Sequence, residues 1–172
     1  MVDEGDGPTV ARRRRALHLM TFAALATILG LAVLDGVDVL DVYGVDEGVV
    51  RTQAGTARLS VDYPAVVRPA LASPFAIRVD STEGFTEPIT IAVSRPWIAS
   101  WDENGLYPTP SSETGDADWV IWEFEPPDGN VFVLSYDGRI EPALQSGRDG
   151  AVELRDGTEI LGRVDFHTRV MP

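Results

Sequence analysis

The stretch DWVIWEFEPP, residues 118–127, alternates strictly, with Val120, Trp122 and Phe124 on one side and Ile121, Glu123 and Glu125 on the other. Successive side chains of extended backbone point to opposite faces, so a period of two marks a strand with one buried and one wet face. Two prolines close it, and proline has no N–H to give to a ladder. Trp122 and Phe124 are therefore the leading core candidates.

The same period recurs outward from this strand. Leu59, Val61 and Tyr63 oppose Arg58, Ser60 and Asp62; Phe75, Ile77 and Val79 oppose Ala76, Arg78 and Asp80. Ile89, Ile91 and Val93 oppose Thr90, Ala92 and Ser94, and Phe132, Leu134 and Tyr136 share a face. Two further runs flank the turn Asp156-Gly157, the last with Val164, Phe166, Thr168 and Val170 inward. This predicts seven or eight short strands separated by Gly, Pro, Asn and Asp. No strand alternates with a long amphipathic helix, which disfavours an α/β fold. Sheets wet on one face bury the other by stacking, so residues 50–172 are expected to form a β-sandwich, with a closed barrel as the alternative. The size suits an immunoglobulin-like module and allows a core without disulfides.

The N-terminal part reads differently. Residues 1–15 read as a disordered cytoplasmic tail ending in Arg12, Arg13, Arg14 and Arg15. Residues 16–34, ALHLMTFAALATILGLAVL, contain no Asp, Glu, Lys or Arg. At the helical rise they cover roughly 28 Å, close to the ~30 Å hydrocarbon core of a bilayer. The expectation is a transmembrane helix. The four arginines determine its topology, with the N-terminus cytoplasmic and the C-terminal domain extracytoplasmic. A cleaved signal peptide is the competing reading, but its best cleavage site, Gly30-Leu31-Ala32, falls before the apolar run ends. Residues 35–49, with Leu34, Val37, Leu40 and Tyr43 recurring every third position, read as a juxtamembrane stalk, irregular rather than helical.

Composition narrows the function. Fourteen arginines and no lysine face 27 acids, a net charge of −13. That field repels nucleic acid. With no cysteine, disulfides, thiol catalysis and Cys-ligated metals are excluded. Two histidines leave little for acid–base chemistry near neutrality. A Ser-His-Asp arrangement would need His167, among charged outward neighbours. Glu123 and Glu125 sit about 7 Å apart along one strand face, a solubilising pattern. No enzyme, cofactor or metal is expected.

The least regular segment, residues 96–118, is the candidate for function. Pro96 can open a short helix that places Trp97 and Trp101 at i and i+4, with Asn104-Gly105 ending it. Tyr107-Pro108-Thr109-Pro110 should be extended and residues 111–115 an exposed loop. Trp97, Trp101, Tyr107 and Trp119 could stack on sugar rings or anchor a protein partner. Alternatively, the helix caps the core and buries its two tryptophans. Asp102, Glu103, Asp116 and Asp118 lack the spacing and distal glutamate of a calcium loop.

Tyr63-Pro64, the F-x-I-x-V strand ending at Val79, and the strand closed by Glu125-Pro126-Pro127 resemble the immunoglobulin-like modules of bacterial surfaces. The arginine-rich start, single span and C-terminal sandwich are similar to small single-pass membrane proteins of high-GC Gram-positive bacteria. The antibody-type Cys…Trp…Cys framework is absent. The expected function is non-enzymatic: an extracytoplasmic sandwich for protein interaction, an accessory subunit whose partner is another integral membrane or envelope protein. The alternative is binding of carbohydrate or cell-wall polysaccharide through the aromatic segment.

Overall fold

The computed structural model describes residues 8–36, 44–143 and 146–171. The chain divides into two units, Met1–Val42 and Tyr43–Pro172.

The described residues of the first unit form one helix, α1 (Pro8–Gly36), which begins within the tail expected to be disordered because backbone hydrogen bonding continues through the arginine run. Its start at a proline fits the position where a missing N–H costs nothing. Thr21 and Thr27 donate their hydroxyls to the carbonyls of Leu17 and Ala23, at 3.0 and 2.9 Å, so both are satisfied within the helix. The side chains of residues 16–31 are all exposed and none is charged. Among the described residues, no helix is long and apolar enough to cross a membrane. The expected span continues to residue 34, and the side chains of residues 32–34 lie outside the described set, as do those of Arg12, Arg14 and Arg15 and the stalk residues 37–43.

The second unit is a β-sandwich. Its elements are β1 (Val45–Arg51), β2 (Ala57–Pro64), β3 (Val66–Val67), β4 (Ala72–Ser81), β5 (Ile89–Ser94), α2 (Arg95–Ile98), β6 (Trp101–Tyr107), β7 (Ser112–Gly115), β8 (Trp119–Phe124), β9 (Val131–Ile140), β10 (Arg148–Asp156) and β11 (Glu159–Val170). One sheet has the order β1-β2-β4-β9-β6, the other β3-β11-β10-β5-β8-β7. All described ladders are antiparallel except β3 with β11. The alternating residues that predicted strands are the ones buried between the sheets, Ile77, Ile91, Trp122, Phe124 and Leu134 among them.

Three expectations need correction. The described residues form eleven strands, not seven or eight, and they divide five and six. That is not the seven-strand immunoglobulin division. The additional strands are short or lie at edges, where backbone pairing suffices and no apolar alternation is required. Second, residues 45–49 are not stalk: they belong to β1, in register with β2 from Val45↔Pro64 to Arg51↔Arg58. Gly48 interrupts the apolar pattern there because a Cβ at that position would collide with Val164. Third, residues 102–105 are strand β6 rather than a helix end, and residues 112–115 are strand β7 rather than loop.

One side chain joins the two sheets. Trp97, fully buried, donates its indole N–H to the Thr168 hydroxyl on β11 at 3.0 Å. Its ring centroid lies 4.7 Å from Phe75 on β4, 5.1 Å from Trp101 on β6 and 5.1 Å from Phe166 on β11. Gly150 on β10 makes room, since a Cβ there would meet both Phe166 and Trp97. Trp97→Ala should cost about 3–5 kcal/mol of unfolding free energy, the range for deleting a large buried ring. Denaturant melts of the two proteins, compared at a common slope, test this.

Candidate functional site

Local geometry decides where the four aromatic candidates go. After β5 the Arg95 amide donates to the Asp118 carbonyl at 2.8 Å, and Pro96 starts a single helical turn. Ser100 closes it by donating its hydroxyl to the Trp97 carbonyl at 2.6 Å. The chain then enters β6 directly. One turn is long enough to point Trp97 inward, and β6 points Trp101 inward beside it, with 6% of its surface left exposed. Both belong to a connected set of rings that also includes Phe75, Tyr136 and Phe166. Tyr107 is 77% exposed and Trp119 half-buried. Two rings are therefore core, as the capping alternative expects, and the other two belong to different sheets, so the four do not form one aromatic surface.

Trp119 roofs a buried carboxylate. Glu153 on β10 stands opposite Arg163 of β11 and Ala92 of β5, with 1% of its surface exposed. Arg155 donates to its Oε2 from Nε at 2.7 Å, and Arg163 to its Oε1 from Nη1 at 2.8 Å. Arg163 also donates to Asp165 from Nη2 at 2.7 Å, and this bond, more than any other cause, raises its affinity for the proton. Both guanidinium groups lie over the Trp119 ring, 4.9 and 5.4 Å from its centroid. The layer is satisfied within itself, two arginines against two acids, and serves as a plate on the outer face of the six-stranded sheet. Sequence carried a signal for it: Glu153-x-Arg155 and Arg163-x-Asp165 put opposite charges on one strand face.

Tyr107 lies on the other outer face, at an open groove of about 510 Å³. Pro74, Gly105, Tyr107, Ser135 and Asp137 line it. Register builds it: Gly105 pairs with Asp137 and Tyr107 with Ser135, after an irregularity between Glu103 and Gly105. A Cβ at Gly105 would meet nothing within 4 Å, so the groove is open there. Burial, followed by the charges of Glu103 and Asp102, pushes the Tyr136 phenol well above its ordinary range. Asp102 is committed to Arg139, whose Nε lies 2.9 Å away, while Asp137 has no ion pair among the described residues. One exposed ring with a carboxylate and hydroxyls beside it can bind a ligand, but contains no nucleophile held by a base.

The remaining candidates resolve into local structure. His167 Nδ1 lies 2.7 Å from Asp149 on the exposed face of β10 and β11. Asp116 accepts the amides of Asp118 and Trp119, each at 2.8 Å. Those two bonds hold its carboxyl below the usual range. Among the described residues, no group of three or more His, Cys, Asp or Glu gathers as metal ligands would.

No protein-family model matches the chain, and no curated protein matches it. Among solved structures, the chain is similar to the third cohesin ScaC of Acetivibrio cellulolyticus, solved with the ScaB dockerin. The TM-score is 0.40 at 10% identity over 63% of this chain and 95% of that one. It is also similar to a non-cellulosomal cohesin of the archaeon Archaeoglobus fulgidus, with a TM-score of 0.38 at 10% identity over 63% of this chain and 87% of that one. A third is AvmM, described as catalysing macrocyclization in alchivemycin A biosynthesis, with a TM-score of 0.39 at 10% identity over 71% and 96%. These scores leave the chain's activity to its own residues.

Glu153→Gln should destabilise the sandwich by about 3 kcal/mol, the lower end for breaking a buried ion pair, because both arginines retain some access to water. Urea titration checks it. For Asp116, a folded-state pKa below the unfolded 3.8 means its stabilisation is complete above that value and lost as pH falls through the folded one. Melting temperatures between pH 5 and pH about 2 should therefore fall less steeply in Asp116→Asn than in wild type.

Proposed function

We propose that this chain is a non-enzymatic, single-pass membrane protein that presents its β-sandwich outside the membrane as a protein-interaction module. The observation that carries the reading is the uniform surface of α1. Residues 16–31 expose only uncharged side chains, among them Leu19, Met20, Phe22, Ile28 and Leu29, on every side of the helix. A helix apolar all round is stable against lipid or within a bundle, not in water. Thr21 and Thr27 bond back to the helix, which suits a medium that offers no water. Sequence extends the apolar run to residue 34, and the arginines before it orient the N-terminus to the cytoplasm.

In this reading the anchor and the residues after it meet an integral membrane or envelope protein, to which the chain is an accessory subunit. The scarcity of histidine and the absence of cysteine support a role without catalysis. A second reading, carbohydrate binding, draws on one observation: Tyr107 stands exposed at a groove that also holds Asp137 and Ser135. An exposed ring face with polar groups at its rim suits a sugar.

The cysteine-free chain makes topology directly testable. Single variants Thr9→Cys and Asp128→Cys, expressed in intact cells, are treated with a membrane-impermeant maleimide. Asp128→Cys should be labelled at once and Thr9→Cys only after permeabilisation. Labelling of both in intact cells, or of neither, would defeat the assignment. Fluorescence titration with cell-wall oligosaccharides, in wild type and Tyr107→Ala, tests the second reading; it requires saturable binding that the substitution abolishes.

A further inference from the structure

At the β1–β2 corner of the five-stranded sheet, Arg51 stands directly opposite Arg58. Arg58 in turn pairs across to Asp80 of β4, and that carboxylate is already held by Arg78 at 2.6 Å. Like charges directly opposite each other destabilise a sheet. Acids also stand opposite acids, Glu47 with Asp62 and Asp156 with Glu159, but of the arginines Arg78, Arg139, Arg155 and Arg163 each have a carboxylate between 2.5 and 2.8 Å away. Among the described residues, Arg51 has no ion pair, and Arg58 has only the field of the occupied Asp80.

A cavity of about 210 Å³ opens beside them, lined by Arg51, Gly55, Thr56, Arg58, Asp80 and Thr82. Gly55 forms the turn with φ of 72°, and no atom lies within 4 Å of where its Cβ would be, so the entrance is clear. Three guanidinium groups against one carboxylate leave a local excess of two positive charges in a chain whose net charge is −13.

We propose that this corner is a binding site for a phosphate-class oxyanion. Its physical basis is the opposed Arg51–Arg58 pair beside an open cavity. A guanidinium fork matches the oxygens of phosphate and binds them by charge-assisted bonds. A phosphate monoester carries about −1.5 to −2 charges near neutrality, enough to neutralise the local excess. The cavity suits a single anionic group rather than a folded partner. Free phosphate and a phosphate ester present the same chemistry. This inference is independent of the interaction surface at Tyr107 and of the membrane anchor.

The test is NMR of the arginine Nε–Hε signals in full-length protein in detergent micelles. It is titrated with inorganic phosphate, with glycerol phosphate, and with sodium chloride at matched ionic strength. Arg51 and Arg58 should shift saturably with inorganic phosphate and not with chloride. Glycerol phosphate binding as well would identify the phosphoryl group as the recognised element; its failure to bind would identify free phosphate as the ligand. Arg58→Gln should weaken the apparent affinity at least about tenfold. Unliganded Arg51→Gln should melt no lower than wild type, because a repulsion is relieved, and phosphate should no longer raise its melting temperature. Shifts that merely follow ionic strength, or equal affinities in wild type and both variants, would overturn the site.

Discussion

The sandwich depends on one indole placed between its sheets. Trp97 reaches that position because β5 and β6 belong to different sheets and a single helical turn connects them. Crossing from one layer to the other brings the chain through the end of the core. The side chain carried across packs on Phe75 and Trp101 of one sheet and on Phe166 of the other. Its N–H is satisfied by Thr168, so a large polar-tipped ring is buried without an orphaned donor. Apolar burial is non-directional, whereas this bond and the ring contacts fix the relative placement of strands distant in sequence. A chain with no disulfide has no covalent substitute for it.

The interior was legible because alternation is dictated by burial. Trp122, Phe124, Ile77 and Leu134 are inward in sequence and inward in space. The periphery was not, for a physical reason. β7, Ser-Glu-Thr-Gly, is exposed along its whole length and is held to β8 by backbone pairing and by the Trp122 indole N–H, which donates to Glu113 at 3.1 Å. β1 replaces a core side chain by Gly48, and β3 has two residues, too few for any period. The candidate site was half legible. Clustering in sequence drew Trp97, Trp101, Tyr107 and Trp119 together, but a turn followed by a strand sends neighbours to opposite sides of a layer. Tyr107 alone keeps an exposed face, and nothing in its own neighbourhood announced the groove, which needs Asp137 and Ser135 from β9.

The charged residues follow a second logic. Opposite charges two apart on one strand, or across neighbouring strands, neutralise each other at the surface: Arg78 with Asp80, Arg163 with Asp165, Arg139 with Asp102. Where the pairing goes below the surface, at Glu153, two arginines are required, and Trp119 covers them. Exposed pairs of this kind contribute little each. The buried one specifies register, because slipping β10 against β11 by one residue would separate Glu153 from Arg163. On the inner face the room that Gly150 leaves for Phe166 and the bond from Trp97 to Thr168 require the same register.

The sheet margins bear on how such a domain behaves when many copies are crowded together. An open sheet edge is a template for another chain's strand. Here the six-stranded sheet ends on one side in β7, four residues long, and on the other in β11, of which β3 pairs only Arg169 and Val170. The five-stranded sheet ends in β1, which carries Asp46 and Glu47, and in β6, whose ladder breaks at Asn104 and stops before Pro108. The irregularity that shapes the groove beside Gly105 also spoils that margin as a surface for strand addition. At three of the four margins, β1, β6 and β7, a neighbouring copy would thus meet a short, charged or interrupted strand.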